Sequence, residues 1–167
     1  MSFDIRRLGP EDANAYRTLR LSALADAPFA FSDSVEEAEG RPNIYWCDLL
    51  AGERTYYGAF SGPKLVGSAN YTPEIGNKSA HRGWMHSVYV APAARGLGVV
   101  DLLIKAVIDH ARGVGALQVH LGVGTENLSA QRAYQRFGFE AYGTQPRALR
   151  VQGQFIDEHQ MVLFLDK

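Results

Sequence analysis

Hydrophobic and polar positions change period several times along the chain, and each change marks a candidate element. Phe3 and Ile5 alternate with Asp4 and Arg6, the period-two pattern of a half-buried strand over Ser2–Leu8. Gly9-Pro10-Glu11-Asp12 suits the first turn of a helix, and Tyr16, Leu19, Ala23 and Leu24 then recur at helical spacing. Pro28 and Gly40 interrupt the stretch Asp26–Pro42, which reads as a loop carrying the acids Glu36, Glu37 and Glu39. A second short helix holds Trp46, Leu49 and Leu50. Thr55–Phe60 and Leu65–Tyr71 flank Ser61-Gly62-Pro63-Lys64 and predict an antiparallel hairpin. Trp84–Val90 is a further strand, ended by Ala91-Pro92.

From Val99 to Arg112 the polar residues Asp101, Lys105, Asp109 and Arg112 fall on one stripe of a helix. Nearly everything else there is apolar, so this helix packs deeply on a sheet before Gly113 and Gly115 end it. Ala116–Val123 alternates again, with Leu117, Val119, Leu121 and Val123 directed inward. Asn127 or Ser129 caps a helix bearing Ala130, Ala133, Tyr134 and Phe137, and strands around Phe139–Tyr142 and Glu158–Leu165 close the chain. The order β-α-α-β-β-β-α-β-α-β-β predicts a mixed α/β (α+β) fold with a partly antiparallel sheet. These elements use nearly all of residues 1–167, which read as one domain.

Composition narrows the function. A formal net charge of −1 gives no general grip on a polyanion, so nucleic acid is not an expected partner. No apolar run approaches the roughly 18 residues of a membrane span, and the first residues lack a signal-peptide core. A cytoplasmic protein with no membrane partner is the expectation. Cys47 stands alone, which excludes an intrachain disulfide. His81, His110, His120 and His159 show no metal-ligand spacing, so no metal is expected.

The chemistry concentrates in Val88-Tyr89-Val90-Ala91-Pro92-Ala93-Ala94-Arg95-Gly96-Leu97-Gly98-Val99-Val100-Asp101. A strand, a glycine-containing turn and a helix start there in succession, and free amides at a helix N-terminus suit a phosphate. The dinucleotide fingerprint fails because Asp101 occupies the place of its third glycine, and no Gly-Lys-Ser/Thr follows for a nucleoside triphosphate.

Arg95-x-x-Gly98-x-Val100 instead resembles the Q/R-x-x-G-x-G/A signature of the GNAT family of N-acetyltransferases. Asn127, Tyr134 and the ending Tyr134-Gln135-Arg136-Phe137-Gly138-Phe139 follow in the family's order, with Val100 departing from its final Gly/Ala. The resemblance implies a GNAT-type acyl-CoA N-acyltransferase fold and acetyl-CoA as cosubstrate. It implies that the cofactor lies between splayed parallel strands, holding to main-chain groups around Val88, Tyr89 and Val90. Arg95 and the amides of Gly96, Leu97, Gly98, Val99 and Val100 would take the pyrophosphate, Asn127 the pantetheine arm, and Tyr134 would protonate the departing thiolate. Trp84 occupies the commonest position of the family's base, so His86, two residues on and on the same strand face, is the candidate base. The acceptor implied is a small-molecule or peptide amine, its pocket built from Asp26–Trp46 and the Pro146–Gln154 connection, with Phe29, Phe31 and Tyr45 lending apolar surface. Dimerisation is common among family members. The rival readings are a non-catalytic acyl-CoA sensor and an O- or longer-chain acyltransferase.

Overall fold

A computed structural model describes every residue from Met1 to Lys167. Seven strands form one mixed sheet, ordered β1-β2-β3-β4-β5-β7-β6. They are β1 (Asp4–Arg7), β2 (Thr55–Ser61), β3 (Lys64–Pro73), β4 (Arg82–Val90), β5 (Gln118–Gly124), β6 (Glu140–Val151) and β7 (Gln154–Phe164). The helices are α1 (Ala13–Asp26), α2 (Val35–Glu39), α3 (Asn43–Ala51), α4 (Val99–Gly113) and α5 (Leu128–Arg136). All pairings are antiparallel except β4 with β5. No helix is long and apolar enough to cross a membrane.

The sheet separates two hydrophobic clusters. Strand alternation decides which side each residue joins: in β2, Ala59 faces the larger cluster while Tyr56 and Phe60 face the smaller. The larger is centred on α4, whose Val99, Leu103, Ile104, Val107, Ile108 and Ala111 are all buried. Each fully buried aliphatic side chain of that stripe contributes about 1.5–3 kcal/mol. The smaller cluster takes Tyr16, Leu19, Ala23 and Leu24 of α1 together with Trp46 and Leu50 of α3. Both helical stripes read from the pattern are therefore buried as expected, while Leu117 proves 45% exposed because it precedes β5.

Two local readings need correction. The acids at 36–39 lie on a helix, α2, not in a loop. Ser34 accepts from the Glu37 amide, and the Glu37 carboxylate accepts from the Ser34 amide, a reciprocal cap that starts the turn. The element order thus gains one helix. The expected loop Pro146–Gln154 is mostly strand: β6 runs to Val151, and the chain turns on Gln152 and Gly153 alone, both at positive φ (51° and 78°). That left-handed pair matches the twist of a two-residue hairpin. Pro146 fits within β6 because the register shifts between Gln145 and Leu149, and there the Arg147 amide donates to Asp157 Oδ1 at 2.8 Å.

Candidate active site

The cleft begins where β4 and β5 part. Their parallel ladder joins only Arg82, Gly83 and Trp84 to Gln118, Val119 and His120. Past Trp84, β4 stays with β3 while β5 stays with β7, and a cleft of about 1280 Å³ opens between them. A bulge bends β4 at this point: Ser68 pairs with Tyr89 and Asn70 with His86, so Ser87 and Val88 stand opposite Ala69 alone. Ser87 takes a φ of 56°, a left-handed conformation that turns the strand toward the opening.

At the C-terminal end of β4 the chain enters the turn before α4. Gly96 and Gly98 have φ of 73° and 80°, and a Cβ at either would meet nothing within 4 Å. Backbone conformation, not crowding, is what requires glycine there. The N–H groups from Gly96 to Asp101 donate to no acceptor within the chain and so remain open to an anion. Val100 is half-buried with its side chain against the larger core, so the branched residue leaves its amide unobstructed. Arg95 is tied at two points: Nε donates to the Val90 carbonyl at 2.9 Å, and the guanidinium pairs with Asp26, which also accepts from the Tyr89 hydroxyl at 3.2 Å.

Across the cleft, Asn127 caps α5, its Oδ1 accepting from the Ala130 amide at 3.3 Å, which leaves Nδ2 as the group free to donate. Two turns on, Tyr134 is 8% exposed, packed edge-on to Phe139 with ring centroids 5.9 Å apart. Its hydroxyl has no partner in the chain, and burial raises its pKa above the ordinary phenol value, so it holds its proton at neutral pH.

On β4, His86 stacks on Trp84, the rings 5.9 Å apart and 5° from parallel. The Thr72 hydroxyl donates to Asn70 Oδ1 at 2.9 Å and lies 3.2 Å from His86 Nδ1. With the Asn70 amide oxygen accepting the single Thr72 hydroxyl proton, Nδ1 is the donor to Thr72. In that arrangement the proton sits on Nδ1, and Nε2 carries the free lone pair. His86 is open to solvent in the cleft, yet desolvation by the walls around its ring, and secondarily the charge of Arg54, lower the imidazole pKa below 6.5, favouring the neutral ring. Asn70 is wholly buried, and its Nδ2 has no partner. An unpaired amide donor costs about 1–3 kcal/mol, a cost an apolar residue would avoid.

The opposite wall carries Glu158 of β7, whose carboxylate crosses Gly122 of β5 so closely that a Cβ there would lie 2.9 Å from Oε2. Burial raises the pKa of this carboxyl. No group of three or more His, Cys, Asp or Glu side chains is arranged to hold a metal ion.

Residues 19–139, which take in most of α1, the whole cleft turn and α5, match the Acetyltransferase (GNAT) family. The chain belongs to the GNAT family of acetyltransferases. It is 35% identical over 112 residues to the N-alpha-acetyltransferase RimI of Mycobacterium tuberculosis, covering 67% of this chain and 68% of that protein. It is 33% identical over 164 residues to the L-methionine sulfoximine/L-methionine sulfone acetyltransferase of Pseudomonas aeruginosa, covering 89% and 95%. The fold is that of yncA from Salmonella typhimurium, a structure holding its cofactor acetyl-CoA, with a TM-score of 0.84, 21% identity and coverage of 100% and 96%.

Within this GNAT fold, His86, Val88, Tyr89, Val90, Arg95, Gly96, Gly98, Val99, Val100, Asn127 and Tyr134 all line the cleft. Leu97 does not: its side chain is 48% exposed, and only its amide belongs to the turn. Of the stretches expected to form the acceptor pocket, Phe31 and Tyr45 reach the cleft but Phe29 does not, and Pro146–Gln154 contributes Leu149. Glu36, Glu37 and Glu39 are exposed on α2 and away from the cleft. Sequence reasoning missed Thr72, Asn70, Glu158 and the arginines at 20, 41 and 54. No motif marks them: Arg20, Asn70, Thr72 and Glu158 sit in ordinary helix or strand patterns, Arg41 and Arg54 in short connections, and each gains its place only by folding.

Proposed function

We propose that this GNAT protein is an acetyl-CoA-dependent N-acetyltransferase in which an acceptor amine attacks the thioester directly within a ternary complex. The observation that carries this reading is the strand split itself, which opens one continuous cleft from the unpartnered amides of Gly96–Asp101 to Tyr134 and His86. The acetyl-CoA bound in the yncA fold and the N-alpha-acetyltransferase activity in the name of the mycobacterial relative support it.

In this mechanism the turn amides hold the pyrophosphate at the positive end of the α4 dipole, with Asn127 Nδ2 donating to the pantetheine arm. Arg95, already paired with Asp26, fixes the shape of the turn as well as lending it charge. The bulged segment at Val88 directs a main-chain N–H at the thioester oxygen, where negative charge develops as the amine adds. His86 Nε2 takes the proton from the amine, and the Tyr134 hydroxyl donates to the departing sulfur. The C–N bond forms, the C–S bond breaks, and coenzyme A leaves as the thiol.

Thiol release from acetyl-CoA across a panel of amines tests the reading. Cofactor binding without turnover on any amine would make the protein an acyl-CoA sensor, and transfer to alcohols alone would make it an O-acyltransferase. The base has its own signature. Because the imidazole pKa is lowered, the neutral form persists across neutral pH, and kcat/KM should fall only on an acid limb below 6.5. H86Q should remove that limb and lower kcat by ~10²-fold. T72V, which takes away the acceptor of the Nδ1 proton, should move the limb and lower kcat by about tenfold. A limb that survives H86Q unchanged would exclude His86 as the base.

A further inference from the structure

The acceptor end of the cleft holds more positive charge than its partners neutralise. Five arginines line the cleft: Arg95 is paired with Asp26 and Arg136 with Asp101. Arg20 and Arg41 share one oxygen of Asp33, at 3.3 and 3.2 Å, each through a single donor. Most of their guanidinium N–H groups are left without a carboxylate, although the Arg20 side chain is only 11% exposed. Arg54 has no ion-pair partner. Three guanidinium charges therefore meet one carboxylate, an excess of two.

These cations face the reacting region rather than the phosphate turn. Arg54 directly precedes β2, whose Thr55 lies opposite Tyr71, which in turn lies opposite Met85, the neighbour of His86. Both Arg54 and Arg20 act against the burial that raises the Tyr56 phenol, which sets them around the same ring. Arg20 and Arg41 are held over Phe31 and Tyr45, 4.7 and 4.5 Å from the ring centroids, contacts that position both guanidinium groups at the cleft. On the far wall, Glu158 is the one cleft carboxylate without an ion pair, the other two being Asp33 and Asp101.

We propose that the acceptor is a zwitterion, an amine that also carries a carboxylate: Arg54, with Arg20 and Arg41, takes the carboxylate, and Glu158 faces the ammonium end. A planar, aromatic-backed guanidinium suits a carboxylate because it offers parallel donors to both oxygens. Glu158 gives the incoming ammonium an opposite charge; the ammonium sheds one proton to solvent to become nucleophilic, and His86 takes the second as the C–N bond forms. This rests on the N-acetyltransferase reading, and its failure is separable from that of the reading.

Matched acceptors give the test: L-leucine, L-leucinamide and isoamylamine, with L-phenylalanine, L-phenylalaninamide and phenethylamine as a second set. Thiol release at saturating acetyl-CoA should show kcat/KM at least tenfold higher for the amino acids than for either partner lacking the carboxylate. R54Q should collapse that ratio to within about threefold, chiefly by raising the acceptor KM, while R54K recovers part of it. Equal rates across each set, or a preference for the uncharged amines, would overturn the proposal and leave the N-acetyltransferase reading standing. Titration calorimetry of the same compounds into protein saturated with coenzyme A covers the remaining case. Amino-acid binding that R54Q abolishes supports the proposal even without turnover, when the enzyme reading alone would fall. No binding and no turnover for any amino acid would overturn it.

Discussion

Replacing Tyr134 with phenylalanine should lower kcat by ~10²–10³-fold while leaving the KM for acetyl-CoA within about threefold, a loss of roughly 3–4 kcal/mol confined to the transition state. The ring is buried and packs edge-on against Phe139, and phenylalanine keeps that packing. The hydroxyl donates to nothing in the chain, so its removal breaks no internal bond and Tm should hardly move. What the variant loses, in the proposed mechanism, is the proton presented to the departing sulfur. Burial raises the phenol pKa above 10.0, so the group that must be protonated stays protonated, and Tyr134 adds no alkaline limb to the pH–rate profile below pH 10. The same shift makes the phenol a weaker acid than free tyrosine, so its advantage is position and not acidity. Steady-state kinetics of the two proteins, with thermal unfolding as the control, decide the matter. A kcat within fivefold of the parent would remove Tyr134 from the reaction.

The largest stability effect should come from L103A. Leu103 is wholly buried on α4, and its Cδ1 approaches Gly67 of β3 so closely that a Cβ on that glycine would lie 3.1 Å away. Glycine at 67 and leucine at 103 are therefore one fitted contact: the helix settles onto the strand because the strand presents no side chain there. Truncation removes three carbons from a close-packed site that the backbone cannot collapse to fill. A loss of about 3 kcal/mol is expected, with a range of roughly 2–5, and a Tm lower by about 10 °C. Denaturant unfolding should show a lower midpoint at unchanged slope. A loss below 1 kcal/mol would mean that α4 shifts to fill the space, and the anion turn at its N-terminus would then move with it.

What could be read directly was what is local. The signature turn needs two left-handed residues before an amphipathic helix, and Gly96, Gly98 and the α4 stripe state that in consecutive positions. Asn127 announces its cap and Tyr134 its buried face within one short helix. Even α2 is written locally, since Ser34-Val35-Glu36-Glu37 spells a capping box, although three acids in four residues equally suit a solvated loop. The β6–β7 turn was harder. Gln152-Gly153 lacks the Asn or Asp that usually marks a left-handed pair, and only the long antiparallel ladder on either side holds it.

By itself, then, the sequence determined most of the element types, the two buried helix stripes and the glycine turn before α4, because each depends on residues within a few positions of one another, while α2 and the full length of β6 emerged only in the fold. Folding alone decided the length of the shared β4–β5 ladder and hence the cleft, because strand pairing is a long-range contact that no local pattern encodes. It also set Thr72 and Asn70 of a neighbouring strand against His86 Nδ1. Above all it gathered Arg20, Arg41, Arg54 and Glu158, which lie up to 138 residues apart in the chain, around one opening. Charge acts through space, so a chain with a formal net charge of −1 can still gather three arginines around one carboxylate at a single opening.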